Sequence, residues 1–181
     1  MLSPEERQDL LRRARAAIAR WLKVSDQEGT PAPPLSARQA GAFVTLRQGR
    51  QLRGCIGYLE ADLPLAAVVE RCAVSAATAD PRFPPLGRGE LAAVEIEISV
   101  LGAFEPVTDV RDVEVGRHGL LMELGGRRGL LLPQVATEWG WDRETFLEHT
   151  CLKAGLPRDA WAKAARVWRF EAEIFSEERG P

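Results

Sequence analysis

Hydrophobic and polar positions along this chain follow two periods, and together they predict helices and strands in irregular order. Apolar residues spaced three and four apart, ending with Trp21 and Leu22, form one stripe that follows the helix-start pattern Ser3-Pro4-Glu5-Glu6. A second stripe follows Asp62, which we expect to cap that helix. The predicted helices cover about residues 4–24, 64–78, 133–138 and 143–154.

Strict alternation of apolar and polar residues is clearest over residues 94–100, which predicts a strand with one buried face. Glycine-containing turns at 48–50 and 125–128 predict two hairpins. The other predicted strands cover about residues 41–46, 51–57, 118–124, 129–132 and 167–175. Hairpins mixed with helices that do not alternate strictly with strands indicate an α+β fold with a mainly antiparallel sheet. We expect a single domain over residues 1–181, with a proline-rich loop or arm at 25–39.

Composition narrows the class of protein. The 181 residues include 24 Lys and Arg against 26 Asp and Glu, a balance that argues against non-specific nucleic-acid binding. No apolar run approaches the roughly 18 residues of a membrane span, and the charged start excludes a signal peptide. Three cysteines without CxxC spacing predict a reduced, cytoplasmic protein. With two histidines and no nucleotide-binding or zinc motif, we expect neither a metal nor a cofactor.

The segment Arg53-Gly54-Cys55-Ile56-Gly57 is the most unusual of the predicted strands. Glycines weaken a strand, so their presence indicates a bulge or a close backbone approach. A thiol beside a guanidinium favours the thiolate, which is able to attack carbon or sulfur while backbone N–H groups stabilise the developing anion. The alternative interpretation is that Cys55 is a small core residue, as we expect for Cys72 and Cys151 on their apolar helix stripes.

Two further segments contain candidate site residues. His118, between flanking glycines, is a candidate general base for Cys55, or else a surface turn histidine. Asp80-Pro81-Arg82-Phe83 places an acid and a base beside a predicted cleft, although it also simply terminates a helix. Glu95 and Glu97 share the polar face of the best strand, where an exposed sheet face is the commoner explanation.

The blocks 52–57, 75–86, 116–120, 131–136 and 151–156 resemble, in this order, the AMMECR domain, whose bacterial and archaeal members are called AmmeMemoRadiSam system protein A. The resemblance extends from about Leu2 to Phe175. It implies an α+β fold in which a larger lobe holds an antiparallel sheet flanked by helices and a smaller lobe packs against it. It attaches no firm activity, and it implies a pathway or complex shared with a Memo-like protein and a radical SAM protein.

The resemblance also points to site residues. The expected catalytic residues are Cys55 and His118. The expected substrate-binding residues are Arg53, Gly54, Ile56, Gly57, Asp80, Arg82 and Phe83. No metal ligand is expected.

Three functions remain open at this point. In the first, the protein is an enzyme in which Cys55 is a nucleophile or redox centre, Arg53 holds a substrate anion or favours the thiolate, and His118 is the base. In the second, it is a non-catalytic accessory protein that docks a Memo-like or radical SAM partner, or presents an unknown small-molecule or protein substrate to it. Nucleic-acid binding through the arginines of the first helix is the third and is disfavoured by the overall acidity.

Overall fold

Seven β-strands and four α-helices make up the part of the chain that the structure, a computed structural model, describes, namely residues 1–24 and 33–177. The helices are α1 (Pro4–Leu22), α2 (Leu65–Thr78), α3 (Pro133–Glu138) and α4 (Arg143–Lys153). The strands are β1 (Ala42–Gln48), β2 (Gln51–Tyr58), β3 (Glu95–Leu101), β4 (Glu105–Pro106), β5 (His118–Leu124), β6 (Arg127–Leu131) and β7 (Arg166–Ser176). Their antiparallel pairing confirms the predicted α+β class.

The first of two compact units contains Met1–Leu101 and the end of the chain from Glu173. In it β2 is the edge strand, β1 lies next to it, and β3 follows. Helices α1 and α2 contact one another and pack against these strands, where they enclose an aliphatic core. The largest fully buried side chains of this core include Leu10, Ile18, Val44, Leu46, Leu65, Ile96 and Ile98. Burial of this apolar surface is the main force that holds the unit together.

The second unit contains Gly102–Ala172. Its strands pair in the order β7, β5 and β6, with the short strand β4 on β7. Helix α4 packs against β5 and β6, and α3 packs against β5. Their shared core includes Leu120, Met122, Ala136, Phe146, Leu147 and Cys151.

Most predicted element boundaries are confirmed to within two residues, because the local signals are also the contacts that form. Ser3 accepts a hydrogen bond from the N–H of Glu6, and the Glu6 carboxylate accepts one from the N–H of Ser3, so the capping box at α1 is present. Asp142 accepts from the N–H of Thr145 and caps α4 as predicted. Cys72 and Cys151 are buried, as expected.

Three expectations about the elements are wrong. Trp21 is exposed, because at the last turn of α1 it lies outside the buried stripe. Asp62 does not cap α2, whose N-cap residue is Pro64; the Asp62 carboxylate instead accepts a hydrogen bond from the Tyr58 hydroxyl at 2.9 Å. The second hairpin turn contains only Gly125 and Gly126, both with positive φ, so β6 begins two residues earlier than predicted.

Much of the predicted proline-rich arm, residues 25–32, lies outside the described residues. The segment that follows contacts the start of α2, since Gln39 forms an isolated antiparallel bridge with Pro64 and the N–H of Leu65 donates to the carbonyl of Arg38 at 2.8 Å. Among the described residues, no helix combines the length and the apolar character needed to cross a bilayer.

Replacing Gly54 by alanine is expected to destabilise the first unit by about 1–3 kcal/mol, which urea unfolding followed by circular dichroism measures. A Cβ at this position would lie 2.1 Å from the carbonyl oxygen of Ala76, which belongs to the backbone of α2 and cannot rotate away. Gly89→Ala is the matched control, because a Cβ there meets nothing within 4 Å. Equal stability of the two variants would contradict this close approach of strand and helix.

Candidate functional site

The edge strand β2 contains an irregularity at the segment that the sequence singled out. Leu46 on β1 lies opposite Gly54, but the next residue, Arg47, lies opposite Leu52, so Arg53 is the additional residue of a β-bulge. Gly54 meanwhile faces α2 at a distance that leaves no room for a side chain. Both predicted features, a bulge and a close backbone approach, are therefore present.

Cys55 lies on the face of the sheet opposite to α2, because it follows Gly54 in a strand whose side chains alternate. Its cross-strand partner is Thr45 on β1. The hydroxyl of Thr45 donates a hydrogen bond to the sulfur of Cys55 at 3.3 Å. Thr45 is buried and Cys55 is half-buried as a residue, so the thiol has a polar companion.

The free edge of β2 at Cys55 is bound by the carboxylate of Asp80. The backbone N–H of Cys55 donates to Oδ2 of Asp80 at 2.9 Å. Arg82 supplies three more donors: its backbone N–H and Nε donate to Oδ1 at 3.1 and 2.9 Å, and its Nη2 donates to Oδ2 at 2.7 Å. Asp80 is buried, and these bonds, that from the Arg82 side chain above all, hold the pKa of its carboxyl well below the usual range. A carboxylate so saturated is a structural anchor rather than a proton acceptor.

The turn that presents Asp80 follows from its local sequence. Helix α2 ends just before it, and Pro81 prevents the helix from continuing. The N–H of Phe83 donates to the carbonyl of Asp80 at 3.1 Å, which closes a four-residue turn with proline in its favoured second position. Further along, the N–H of the buried Leu86 donates to the carbonyl of Ala77 at 2.7 Å. The loop is thus attached to α2 at both ends.

Arg82 places a positive charge beside the backbone of Cys55. Its side chain is 51% exposed, and Nη2 lies 3.5 Å from the carbonyl oxygen of Cys55, at the outer limit of a hydrogen bond. The hydrogen-bonded carboxylate of Asp80 raises the pKa of Arg82, and the negative charge of an ionised Cys55 raises it further. The guanidinium also lies 5.5 Å from the ring centre of Phe83, within range of a cation–π contact.

Arg53 takes a different position from the one expected. Its Nε and Nη2 donate to the two carboxylate oxygens of Glu90 at 2.9 and 3.1 Å, and Nη1 donates to the carbonyl of Pro84 at 3.0 Å. Only 12% of its side chain is exposed. Arg53 therefore holds the segment from Pro84 to Glu90 against the bulge, and its charge is already paired with that of Glu90.

The last two residues of the segment border a small cavity next to α2. Ile56 and Gly57 line a volume of about 180 Å³ together with residues of α2, among them Arg71 and Cys72. Burial raises the pKa of the Cys72 thiol to about 11, which keeps that sulfur protonated at neutral pH. Of the two nearby thiols, Cys55 is the less buried.

His118 belongs to the second unit, whereas Cys55 belongs to the first. His118 is buried on β5, and its Nδ1 accepts a hydrogen bond from the backbone N–H of Glu114 at 3.0 Å. Burial, reinforced by the charge of Arg169, lowers its pKa. The neutral ring therefore carries its proton on Nε2, which gives it the chemistry of a hydrogen-bond donor.

Two residues of the site were missed from the sequence. Thr45 donates to the sulfur, and Glu90 pairs with Arg53. Thr45 is recognisable only from the register of the hairpin. Glu90, with Leu91, follows the block 75–86 in the family resemblance, but its pairing with Arg53 is recognisable only from the path of the loop. Glu97 lies opposite Thr45 on β3. The sequence indicates only that Glu97 shares a strand face with Glu95.

The chain is similar to known proteins over almost its whole length. A model of the AMMECR1 family matches residues 11–175. A protein from Methanothermobacter thermautotrophicus is 47% identical over 98% of this chain and 97% of its own length. A protein from Thermofilum pendens is 46% identical over 97% of this chain and 92% of its own. The crystal structure of an uncharacterized protein from Pyrococcus horikoshii superposes with a TM-score of 0.91 at 42% identity, covering 99% of this chain and 96% of that one.

Asp80→Asn is expected to lower the free energy of unfolding by about 1–3 kcal/mol at pH 7, because the amide loses charge-assisted bonds to Arg82 and Cys55. Since the folded-state pKa of Asp80 is lowered, its stabilising contribution is complete above the unfolded carboxyl pKa of about 4 and is lost as the pH falls below it. Urea unfolding at pH 7 and at pH 3 measures the difference, which should shrink at pH 3. The exposed Asp62→Asn variant is the control, and a loss no larger at position 80 than there would argue against the anchor.

Proposed function

The chain belongs to the AMMECR1 family, and we propose that it acts through the thiolate of Cys55 at a site open to a small-molecule or protein substrate. The observation that carries this proposal is the position of the Arg82 guanidinium, which Asp80 holds 3.5 Å from the carbonyl oxygen of the half-buried Cys55. A thiol with a positive neighbour and partial exposure is the usual environment of a reactive cysteine.

Each neighbour has a part in the proposed chemistry. Arg82 stabilises the negative charge of the thiolate, and the hydroxyl of Thr45 donates to the same sulfur. The thiolate supplies its electron pair to an electrophilic carbon or sulfur of the substrate, and the leaving group departs with the pair of the bond that breaks. The N–H of Cys55 is already bonded to Asp80, so the exposed Arg82 guanidinium, rather than this amide, would stabilise charge that develops on the substrate.

The role of His118 as general base stays a prediction. Its Nδ1 lone pair already accepts the N–H of Glu114, so in the neutral ring no nitrogen is free to accept a proton. The proposed activation of Cys55 does not depend on His118, because the Thr45 hydroxyl donates to the sulfur and the charge of Arg82 acts on it through space.

A second candidate function is that of an accessory protein. It is favoured by the bonds that the charged groups already form. Asp80 accepts the N–H of Cys55, and Arg53 is paired with Glu90. These bonds fix the loop, and they leave none of the three side chains available as a general acid or base. In this case the exposed Arg82 and the strand edge would dock a Memo-like or a radical SAM protein, and Cys55→Trp would prevent co-purification with them. An unreactive Cys55 in the experiment below favours this role.

Iodoacetamide is expected to alkylate Cys55 well before Cys72 and Cys151, and peptide mass spectrometry assigns each site. Both other thiols are buried and their pKa values are raised by burial, so they remain protonated. Arg82→Gln should slow the alkylation of Cys55 at pH 7 by about threefold or more, because it removes the positive neighbour and leaves the Asp80 carboxylate uncompensated.

Arg82→Lys is the matched control, since it keeps the positive charge while losing the planar fork. Its rate should stay close to that of the parent protein, and Thr45→Val should be intermediate. A Cys55 that reacts no faster than Cys72, or an Arg82→Gln variant as reactive as the parent, would refute the proposal.

A further inference from the structure

A polar cavity of about 400 Å³ lies within the second unit, and it plays no part in the site at Cys55. Its polar lining comes from two acidic, two basic and one imidazole side chain: Glu105, Glu171, Arg117, Arg169 and His118. The volume falls in the lower part of the range of small-molecule sites. All of its lining residues belong to this one unit.

The strand register brings four of these side chains, all but that of Arg117, to one face of the sheet. On β7, Arg169 and Glu171 are two residues apart and therefore point to the same side. Arg169 lies opposite Glu105 of β4, and Glu171 lies opposite His118 of β5. The register thus places four of the five polar lining residues next to one another, and Arg117 immediately precedes β5.

His118 offers this cavity a donor that the protein leaves unused. The residue is only 5% exposed, and its Nδ1 accepts the N–H of Glu114. Within residues 1–24 and 33–177, the Nε2–H has no hydrogen-bond acceptor, and the ring lines the cavity. It is not among the buried side-chain atoms that lack a partner, so it is accessible from the cavity, where the acceptor of a ligand would take the place of solvent.

The two arginines add donors on the same side. Nε and Nη2 of Arg169 donate to the Glu105 carboxylate at 3.1 and 3.0 Å, and Nε of Arg117 donates to Glu171 at 2.8 Å. Both glutamate side chains are largely exposed, 62% and 61% respectively. Ion pairs with such exposed partners contribute little stability, so a bound anion is able to replace them.

We propose that Arg117, His118 and Arg169 form a binding site for the carboxylate or phosphate group of a small molecule. The oxygen acceptors of such a group would take the Nε2–H of His118 and the guanidinium donors, while the two glutamates turn toward solvent. This site is independent of the proposed thiol chemistry, since all of its groups belong to the second unit.

Nuclear magnetic resonance of the histidine rings tests the proposal on the full chain, with inorganic phosphate and citrate as separate probes at constant ionic strength. The chain has two histidines, and His149, stacked on Trp141 at 4.0 Å between ring centres, is the internal control. Either probe should shift the His118 Nε2 resonance saturably in the millimolar range and leave His149 unchanged. A response to phosphate alone or to citrate alone identifies the preferred group and supports the site.

Variants decide whether the named residues carry the binding. Arg117→Gln changes an exposed side chain, so it should fold, and it should weaken binding at least threefold; Glu171→Gln should tighten it, because it removes a competing carboxylate. Arg111→Gln, which alters an exposed arginine paired with Asp109, should leave the affinity unchanged. The proposal is overturned if neither probe shifts His118 at concentrations up to about 50 mM, or if Arg117→Gln and Glu171→Gln both bind like the parent.

Discussion

One buried carboxylate, that of Asp80, connects the parts of this site. It accepts the N–H of Cys55 from the edge of the sheet and three donors from Arg82 in the loop that follows α2. An edge strand leaves such backbone groups unpaired. An unpaired N–H there costs free energy and is free to pair with a strand of another molecule. The carboxylate satisfies the donor and at the same time holds the Arg82 guanidinium at the backbone of Cys55. One side chain therefore joins the strand edge to the loop, and the proposed thiol chemistry depends on it.

Glycine at position 54 makes this arrangement geometrically possible. Without a side chain, β2 approaches the backbone of α2 closely, and the loop that leaves α2 reaches the edge of the strand within a few residues. The bulge at Arg53 then turns that side chain to Glu90, where it holds the far end of the same loop. Strand, helix and loop depend on one another here, so a change in any of them is transmitted to Cys55.

The elements were predictable from the sequence because their signals are local. The capping box at Ser3, the alternation over 94–100 and the Asp142 cap each act within a few residues. The partners of Cys55 were not predictable in the same way. Counting outward from the hairpin turn places Thr45 opposite Gly54, and only the bulge shifts it by one residue to face Cys55.

The partners of the charged side chains were not predictable from the sequence either. Arg53 is two residues from Cys55 in the chain and was the natural candidate to favour its thiolate, but its charge is paired with Glu90, 37 residues away. Arg82, 27 residues from Cys55, instead brings its guanidinium to 3.5 Å from the Cys55 carbonyl oxygen. Asp62 illustrates the same limit, because the Tyr58 hydroxyl binds its carboxylate in place of the helix end. Competition between distant partners is decided by the tertiary structure.

Hydrogen exchange at the Cys55 amide tests the role of Asp80 most directly. This N–H points away from β1, and the Asp80 carboxylate is its acceptor, whereas the N–H of Ile56 points toward β1 by the alternation of the strand. We expect slow exchange at Cys55 in the parent protein and exchange at least about tenfold faster in Asp80→Ala, with Ile56 protected in both. A Cys55 amide that exchanges in the parent as fast as an exposed loop amide would show that Asp80 does not bind it in solution.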